Sequence, residues 1–326
     1  MNVYENFTEC YLDLAKQIYK NPDYTCAPRG FKIKEKLGVR FKIKNPRDRL
    51  PYVPVRKFSA TYLVGELLWY LSADNSTDWI SYYSSFWKRI SDDGKTANSA
   101  YGARIFKPHE RIAGGSLNQW QFVVDELKRD PDSRRAIIHI RSPWDSVKAK
   151  LDVPCTLTLQ FFLRHNDLHM VVNMRSSDLI LGIAYDIPAF TMFQELLARE
   201  LGVHVGEYMH VSNSLHIYEK HFSMVEDMLR EDAVQLARSL HAMHGPMPRI
   251  LSDPPIKDLF EYEGALREEK DSEKIMQSLH QFEEDHRDYW SDWAKILAAH
   301  RLGKLKQPKE KTRLIDSTKF SGYHVF

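Results

Sequence analysis

One cysteine, one carboxylate and three arginines carry the chemistry this sequence offers. Cys155 directly follows Pro154 and opens a stretch of strand-forming residues, Thr156 to Leu163. Arg134-Arg135 stands at the mouth of another such stretch, and Arg175 closes a third within Met174-Arg175-Ser176-Ser177-Asp178. Glu66 sits in Gly65-Glu66-Leu67-Leu68-Trp69, inside a run from Tyr62 to Leu71 that is otherwise apolar almost all round. A lone cysteine is ordinarily a small buried apolar residue, and an arginine at a strand end ordinarily makes a salt bridge. Several guanidinium groups around one thiol make an anion site that also draws the thiol toward the thiolate, the form that attacks carbon. The expectation is a covalent nucleophile working on an anionic substrate.

The elements that must hold these residues are legible as periodicities. Asn6 to Tyr19 repeats at helical spacing, and Pro22 and Pro28 end it before an alternating, strand-like stretch from Phe31 to Ile43. Tyr62 to Leu71 predicts a buried helix, and Gln119 to Lys128 another, closed by the turn-forming Asp130-Pro131-Asp132-Ser133. Ala136–Arg141, Thr156–Leu163 and Leu168–Arg175 predict three strands, the last two joined by a hairpin at Arg164-His165-Asn166-Asp167. Pro188 to Leu201 predicts a helix with proline near its first turn and Gly202 just past its end. A strand is expected near Glu207 to Ser212, then a helix from Ser214 through Leu229.

Beyond Ala233 the texture changes. Pro246, Pro248, Pro254, Pro255 and the charged stretch Glu261 to Lys274 predict a loop-linked helical region and no second core. Ser291 to His300 has the look of a short amphipathic helix, and Lys304 to Lys311 that of a solvated basic arm. The fold class expected is therefore α/β (α+β), a mixed sheet flanked by helices. Its catalytic unit is read as residues 1–232, followed by a helical extension at 233–326.

Composition removes other classes. The 326 residues are 43% hydrophobic and 28% charged, a globular balance, and 46 Lys+Arg against 44 Asp+Glu leave only +2. No bulk charge recruits nucleic acid, and no apolar run approaches the ~20 residues of a membrane span. The first twenty residues lack a basic segment followed by an apolar one, so the expectation is a cytoplasmic protein. Three scattered cysteines without a CxxC pair exclude a disulfide scaffold and a thiolate zinc site, and no metal is expected. Gly94-Lys95-Thr96 lacks the phosphate-loop glycine, its place being taken by Arg89, and no G-x-G-x-x-G follows a strand. A papain-like reading of Cys155 wants a large aromatic and glycine beside it, where Pro154 and Thr156 stand.

Several motifs together resemble the thymidylate synthase family in order and spacing. They are Asp130-Pro131-Asp132-Ser133-Arg134-Arg135, Pro154-Cys155, Arg175-Ser176-Ser177-Asp178-Leu179-Ile180-Leu181-Gly182 and His216-Ile217-Tyr218. The Gly65–Trp69 segment and Ala100-Tyr101-Gly102 fit as well, so the resemblance spans roughly Asn2 to Phe222 and leaves the segment after about Ala233 unmatched. It implies a homodimer packed sheet to sheet, a nucleoside monophosphate substrate, and methylenetetrahydrofolate as cosubstrate. It makes Cys155 the nucleophile that adds to C6 of a pyrimidine, because the ring is a poor carbon nucleophile until an adduct breaks its conjugation. It implies that Arg175, with Ser176, binds phosphate in its own subunit, that Arg134 and Arg135 reach the partner's phosphate, and that Arg29 completes the site. His216 and Tyr218 would contact the ribose, Glu66 would organise proton transfers, and Trp87, Tyr101, Asp178 and Gly182 would form the folate side.

One position departs from the family pattern informatively. After Gly182 the family reads Phe-Asn, and that asparagine faces the pyrimidine edge; here the residues are Tyr185-Asp186. An amide answers uracil's O4 and N3–H, whereas a carboxylate accepts from cytosine N4–H and favours a proton on N3. Aspartate here resembles the deoxycytidylate hydroxymethylase branch, in which water captures the one-carbon intermediate. Thr156 and Met174, where thymidylate-forming members carry histidine and glutamine, point the same way. The expected activity is 5-hydroxymethylation of CMP or dCMP. The alternatives are a thymidylate synthase or dUMP hydroxymethylase in which Asp186 merely caps a helix ahead of Pro188, and a non-catalytic nucleotide- or RNA-binding relative.

Overall fold

A computed structural model describes residues 1–110, 116–147, 151–240, 247, 254–286 and 289–325. The chain opens with β1 (Asn2–Tyr4), α1 (Phe7–Lys20), β2 (Tyr24–Cys26) and β3 (Ile33–Ile43). Helices α2 (Ala60–Leu71), α3 (Thr77–Ser81), α4 (Phe86–Ile90) and α5 (Tyr101–Phe106) follow, then the two-residue strands β4 (His109–Glu110) and β5 (Ser116–Leu117) and helix α6 (Gln119–Arg129). The centre comprises β6 (Ile137–His139), β7 (Thr156–Arg164), β8 (Asp167–Met174), β9 (Ser177–Asp178), α7 (Ala184–Leu201) and β10 (His204–Tyr218). Helices α8 (Phe222–Met228), α9 (Glu231–Ser239), α10 (Pro254–Glu268), α11 (Ser272–Asp285), α12 (Tyr289–Lys304) and α13 (Pro308–Asp316) complete it.

The sheet is mixed, in the order β1-β3-β10-β8-β7-β6, with β2 added to β3 and β9 to β10. β10 is the axis of the molecule. It runs antiparallel to β3 from Tyr208↔Ile43 to Tyr218↔Ile33, and parallel to β8 and then β9 on its other edge. That double pairing explains why the helix expected from Ser214 is absent: Ser214 to Tyr218 pairs throughout with β3, and Leu215 and His216 pair with β9 as well, so helix α8 begins only at Phe222. The β7–β8 hairpin closes where expected, with His165 and Asn166 both at positive φ, the geometry of a two-residue turn matched to strand twist.

On β8 the buried Leu168, Met170, Val172 and Met174 alternate with the partly exposed Asp167, His169, Val171 and Asn173. One sheet face therefore carries the core and the other stays half open. Helix α7 covers the core face and is buried almost all round. It starts at Ala184, four residues ahead of the expected Pro188, because a wide turn over Leu179–Ile183 runs straight into it and leaves Pro188 inside the helix.

Helix α2 begins at Ser59, whose hydroxyl accepts from the Tyr62 amide at 3.2 Å, a serine N-cap. Its far side meets α12, which also packs on α10, α11 and α13. The short amphipathic helix expected at Ser291–His300 is thus a fully enclosed one: every residue from Trp290 to Ala299 is buried. Asp292 anchors the C-terminal turn by accepting the Lys319 and Phe320 amides, both at 2.8 Å. The hydrophobic core is continuous from α1 through α12 to Tyr323, and α9 runs across position 232. Lys304 to Lys311 lies at the end of α12 and the start of α13, mostly exposed, while Pro246 and Pro248 lie outside the described residues.

Candidate active site

Arg175 organises the loop that carries the cysteine. Its Nε donates to the Pro154 carbonyl at 3.0 Å, its Nη2 to the Val153 carbonyl at 2.9 Å, and the same Nη2 stands 3.5 Å from Cys155 Sγ. The Arg175 amide also donates to the Cys155 carbonyl at 2.9 Å. Behind this loop, Asp152 accepts the Ser99 amide at 2.9 Å, and Asn98 donates to the Asp152 carbonyl at 3.0 Å. Arg104 then ties α5 to the loop before β7 through a two-pronged pair with Asp145 at 2.7 and 2.8 Å.

The thiol itself departs from expectation. Burial pushes the Cys155 pKa up; Arg175 and then Arg29 pull it down, while Asp186 and Asp152 push it up again. Desolvation of a thiolate outweighs the arginines, so the arginine cluster does not by itself hold Cys155 ionised.

Beside the Cys155 loop, against Val153 and Arg175, lies a cleft of about 410 Å³ in which Arg29, Arg175, Ser176, His216 and Tyr218 all take part; Cys155 itself is not in its lining. Arg29 is presented by the Pro28–Gly30 turn with φ at 53°, in the left-handed region that a non-glycine residue seldom occupies. His216 pairs in register with Glu35 across β3 and with Asp178 across β9, and its ring stands edge-on to Tyr218 at 5.0 Å. Burial holds the His216 imidazole below its usual range, with Asp178 and Glu35 opposing. Five expected residues thus meet in one cleft.

Three carboxyl groups lie close by, Glu66 buried and Asp178 and Asp186 partly exposed. Glu66 is 5% exposed; Tyr62 Oη donates to its Oε1 at 2.6 Å, and burial raises its pKa to about 8, with the charge of Asp186 adding to the shift. Asp186 sits in the first turn of α7, where no side chain caps the helix, so the N-cap reading does not hold. Burial raises its pKa to about 7, and the neighbouring charge of Asp178 contributes. Gly182 makes this possible sterically, because a Cβ there would come within 3.3 Å of Asp186 Oδ2. Asp178 accepts the Ile180 amide at 2.8 Å and so starts the wide turn that delivers Asp186. Tyr101, 7% exposed, stacks on Tyr70 and is in electrostatic reach of Asp186, Cys155 and Glu66. Gly102 lets it approach, since a Cβ there would strike the Tyr70 backbone at 2.0 Å. Trp87 spends its indole N–H on Tyr62 Oη at 3.0 Å.

Arg134 and Arg135 are the expected residues that stand apart. Both are exposed at the head of β6 and neither lines this cleft. Two unexpected charged residues do line it: Arg141, whose Nη2 donates to Ser146 Oγ at 2.7 Å, and Glu35, which accepts from the Ser214 hydroxyl. Arg141 closes a predicted strand just as Arg175 does, and that parallel is the signal by which it could have been found. No three His, Cys, Asp or Glu side chains are grouped to hold a metal ion among the described residues, and no helix there is long and apolar enough to cross a membrane.

Arg175 thus ties the Cys155 loop to a cleft lined by three arginines, with the buried Glu66 and the half-buried Asp186 in electrostatic contact with each other nearby. Residues 9–249 match the family described as Thymidylate synthase. The chain belongs to that family, whose members use methylenetetrahydrofolate as cosubstrate. It is similar to a deoxyuridylate hydroxymethyltransferase of Bacillus phage SP01, at 31% identity over 259 residues, covering 74% of this chain and 67% of the relative. The family and this relative together indicate a folate-dependent one-carbon transferase.

Proposed function

We propose that this protein is a pyrimidine nucleotide 5-hydroxymethyltransferase acting on the cytosine nucleotide, CMP or dCMP. The observation that carries the base choice is Asp186, a half-buried acid at the family's base-reading position with its pKa raised to about 7. A neutral carboxyl answers either pyrimidine edge, donating through O–H and accepting through its carbonyl. Above pH 7 the two bases part. Cytosine N3 is basic and keeps a proton shared with the carboxylate, whereas uracil O4 is not and meets a bare negative charge. Discrimination at a buried polar contact follows from leaving one reader with the wrong partner.

In this reading the Cys155 thiolate adds to C6, and the electron pair moves to C5. C5 bonds to the methylene carbon of the folate cosubstrate; C5 then gives up its proton and the bond from that carbon to the folate nitrogen breaks, so that tetrahydrofolate leaves with the electron pair and an exocyclic methylene remains on the base. Water then adds to the exocyclic carbon and Cys155 leaves, so no net oxidation or reduction occurs. Glu66, buried and near pKa 8, takes and returns protons at the base end. Arg29 and Arg175 grip the phosphate, and His216 and Tyr218 the sugar. Trp87, Tyr101, Asp178 and Gly182 shape the folate side. The half-open sheet face is the surface for a second copy, which would bring its Arg134 and Arg135 to this cleft.

A second reading, hydroxymethylation of dUMP, is favoured by the phage relative's activity. Release of tritium from C5-labelled CMP, dCMP and dUMP, each with the same folate, decides between them. Faster release from a cytosine nucleotide supports the proposal; faster release from dUMP replaces it, and release from none points to a binding protein.

A further inference from the structure

Tyr62 is one helical turn ahead of Glu66 on α2, so both side chains lie on one face. Its hydroxyl donates to Glu66 Oε1 at 2.6 Å and accepts from Trp87 Nε1 at 3.0 Å. The indole N–H is a donor only, and the phenol has a single proton. With Trp87 donating to the oxygen, the Tyr62 proton points at Oε1, which favours a neutral Glu66 with its own proton on Oε2; Tyr70 is a second hydroxyl partner of the same carboxyl.

The phenol ring is held as firmly as its hydroxyl. It stands edge-on to Tyr185 at 4.8 Å, and Tyr185 stacks on Phe58 at 4.7 Å. Tyr185 Oη accepts from the Ser59 amide at 3.1 Å and from Arg56 Nη1 at 3.3 Å, while Arg56 Nη2 is fixed on the Ile180 carbonyl at 2.5 Å. Tyr185 directly precedes Asp186, so one brace sets both acids. The titratable groups around Glu66 are Tyr62 and Tyr70 on its own helix, Tyr101 on α5 and Asp186 on α7.

We propose that Tyr62 is a positioning residue for Glu66, which it reaches through a directed chain, Trp87 to Tyr62 to Glu66, that favours the carboxyl proton on Oε2. The catalytic consequence rests on the reading of Glu66 as the proton carrier; the positioning itself does not.

The test titrates Glu66 in the full chain without substrate, by infrared difference spectra of the protonated carboxyl band, assigned by its loss in Glu66→Gln. Tyr62→Phe removes a donor that favours the ionised form, so the midpoint should rise by about one pH unit or more. Placing 3,5-difluorotyrosine at position 62 strengthens the donor with the fold preserved, and should lower the midpoint. An unmoved midpoint in the fluorinated protein overturns the proposal, whether or not Tyr62→Phe folds. In turnover, Tyr62→Phe should lose kcat about tenfold or more with KM for the nucleotide within about threefold, in the range of a weakened acid–base catalyst. A shifted midpoint in a protein that turns over no nucleotide would remove the proposed function and leave the positioning intact.

Discussion

Arg175 Nη2 stands 3.5 Å from Cys155 Sγ while the same side chain holds the Val153 and Pro154 carbonyls. One guanidinium therefore sets the Cys155 loop and stands beside its thiol. Cys155→Ala is expected to bind nucleotide with near-normal affinity yet show neither turnover nor C5 tritium exchange, since no other side chain there can saturate the 5,6 double bond. Exchange persisting in Cys155→Ala would end the covalent reading.

Asp186→Asn preserves shape and exchanges an acid for an amide. It is expected to move the ratio of kcat/KM for cytosine over uracil nucleotide toward uracil by roughly ten- to hundredfold. That follows from ~1–3 kcal/mol for a two-pronged contact at a base edge, at 1.4 kcal/mol per decade. Parallel kinetics on dCMP and dUMP measure it, and an unchanged ratio would remove Asp186 from base selection.

Glu66 and Asp186 should also weaken the fold as pH rises. An acid held above its ordinary pKa keeps its proton when folded and releases it on unfolding, so stability falls with pH from about 4, where the unfolded carboxyls titrate. The loss continues up to about 7 for Asp186 and about 8 for Glu66. Asp186→Asn and Glu66→Gln should therefore stabilise the chain against urea more at pH 8 than at pH 5, with a ceiling on the order of 3 kcal/mol each. A gain larger at pH 5 than at pH 8 would contradict the assigned shifts.

Arg141 shares the cleft with Arg29 and Arg175. Arg141→Ala is expected to raise KM for the nucleotide several-fold and leave kcat nearly unchanged, as loss of a charged contact made equally in ground and transition states would. Steady-state kinetics separate the two, and a fall in kcat alone would place Arg141 elsewhere in the reaction.

Arg134 and Arg135 point to a different experiment. A chain carrying Arg134→Ala and Arg135→Ala should be rescued by mixing with Cys155→Ala chains, because one hybrid site would then be intact. Recovery of activity on subunit exchange is the readout. Exchange without recovery would return the pair to a role within its own subunit.

The sequence by itself determined the local elements and the cast of chemical groups. Pro154-Cys155, Arg175 and the acid at 186 were legible because each sits at an element's edge, where periodicity breaks and a polar type stands out. The hairpin at His165-Asn166 was legible because its turn chemistry is local. What tertiary structure decided were matters of burial and pairing between distant segments. The Ser214–Tyr218 stretch became strand because β3 and β9 flank it, which no local propensity records. Asp186 became a half-buried acid beside Asp178 and no helix cap because the wide turn at Leu179–Ile183 starts the helix earlier. The thiol rose in pKa although arginines surround it, because desolvation depends on everything packed around a group and charge counts along the chain do not report that. Tyr62 stayed invisible for the same reason: its partner Trp87 lies on another helix, and only folding brings the indole to the phenol that holds Glu66.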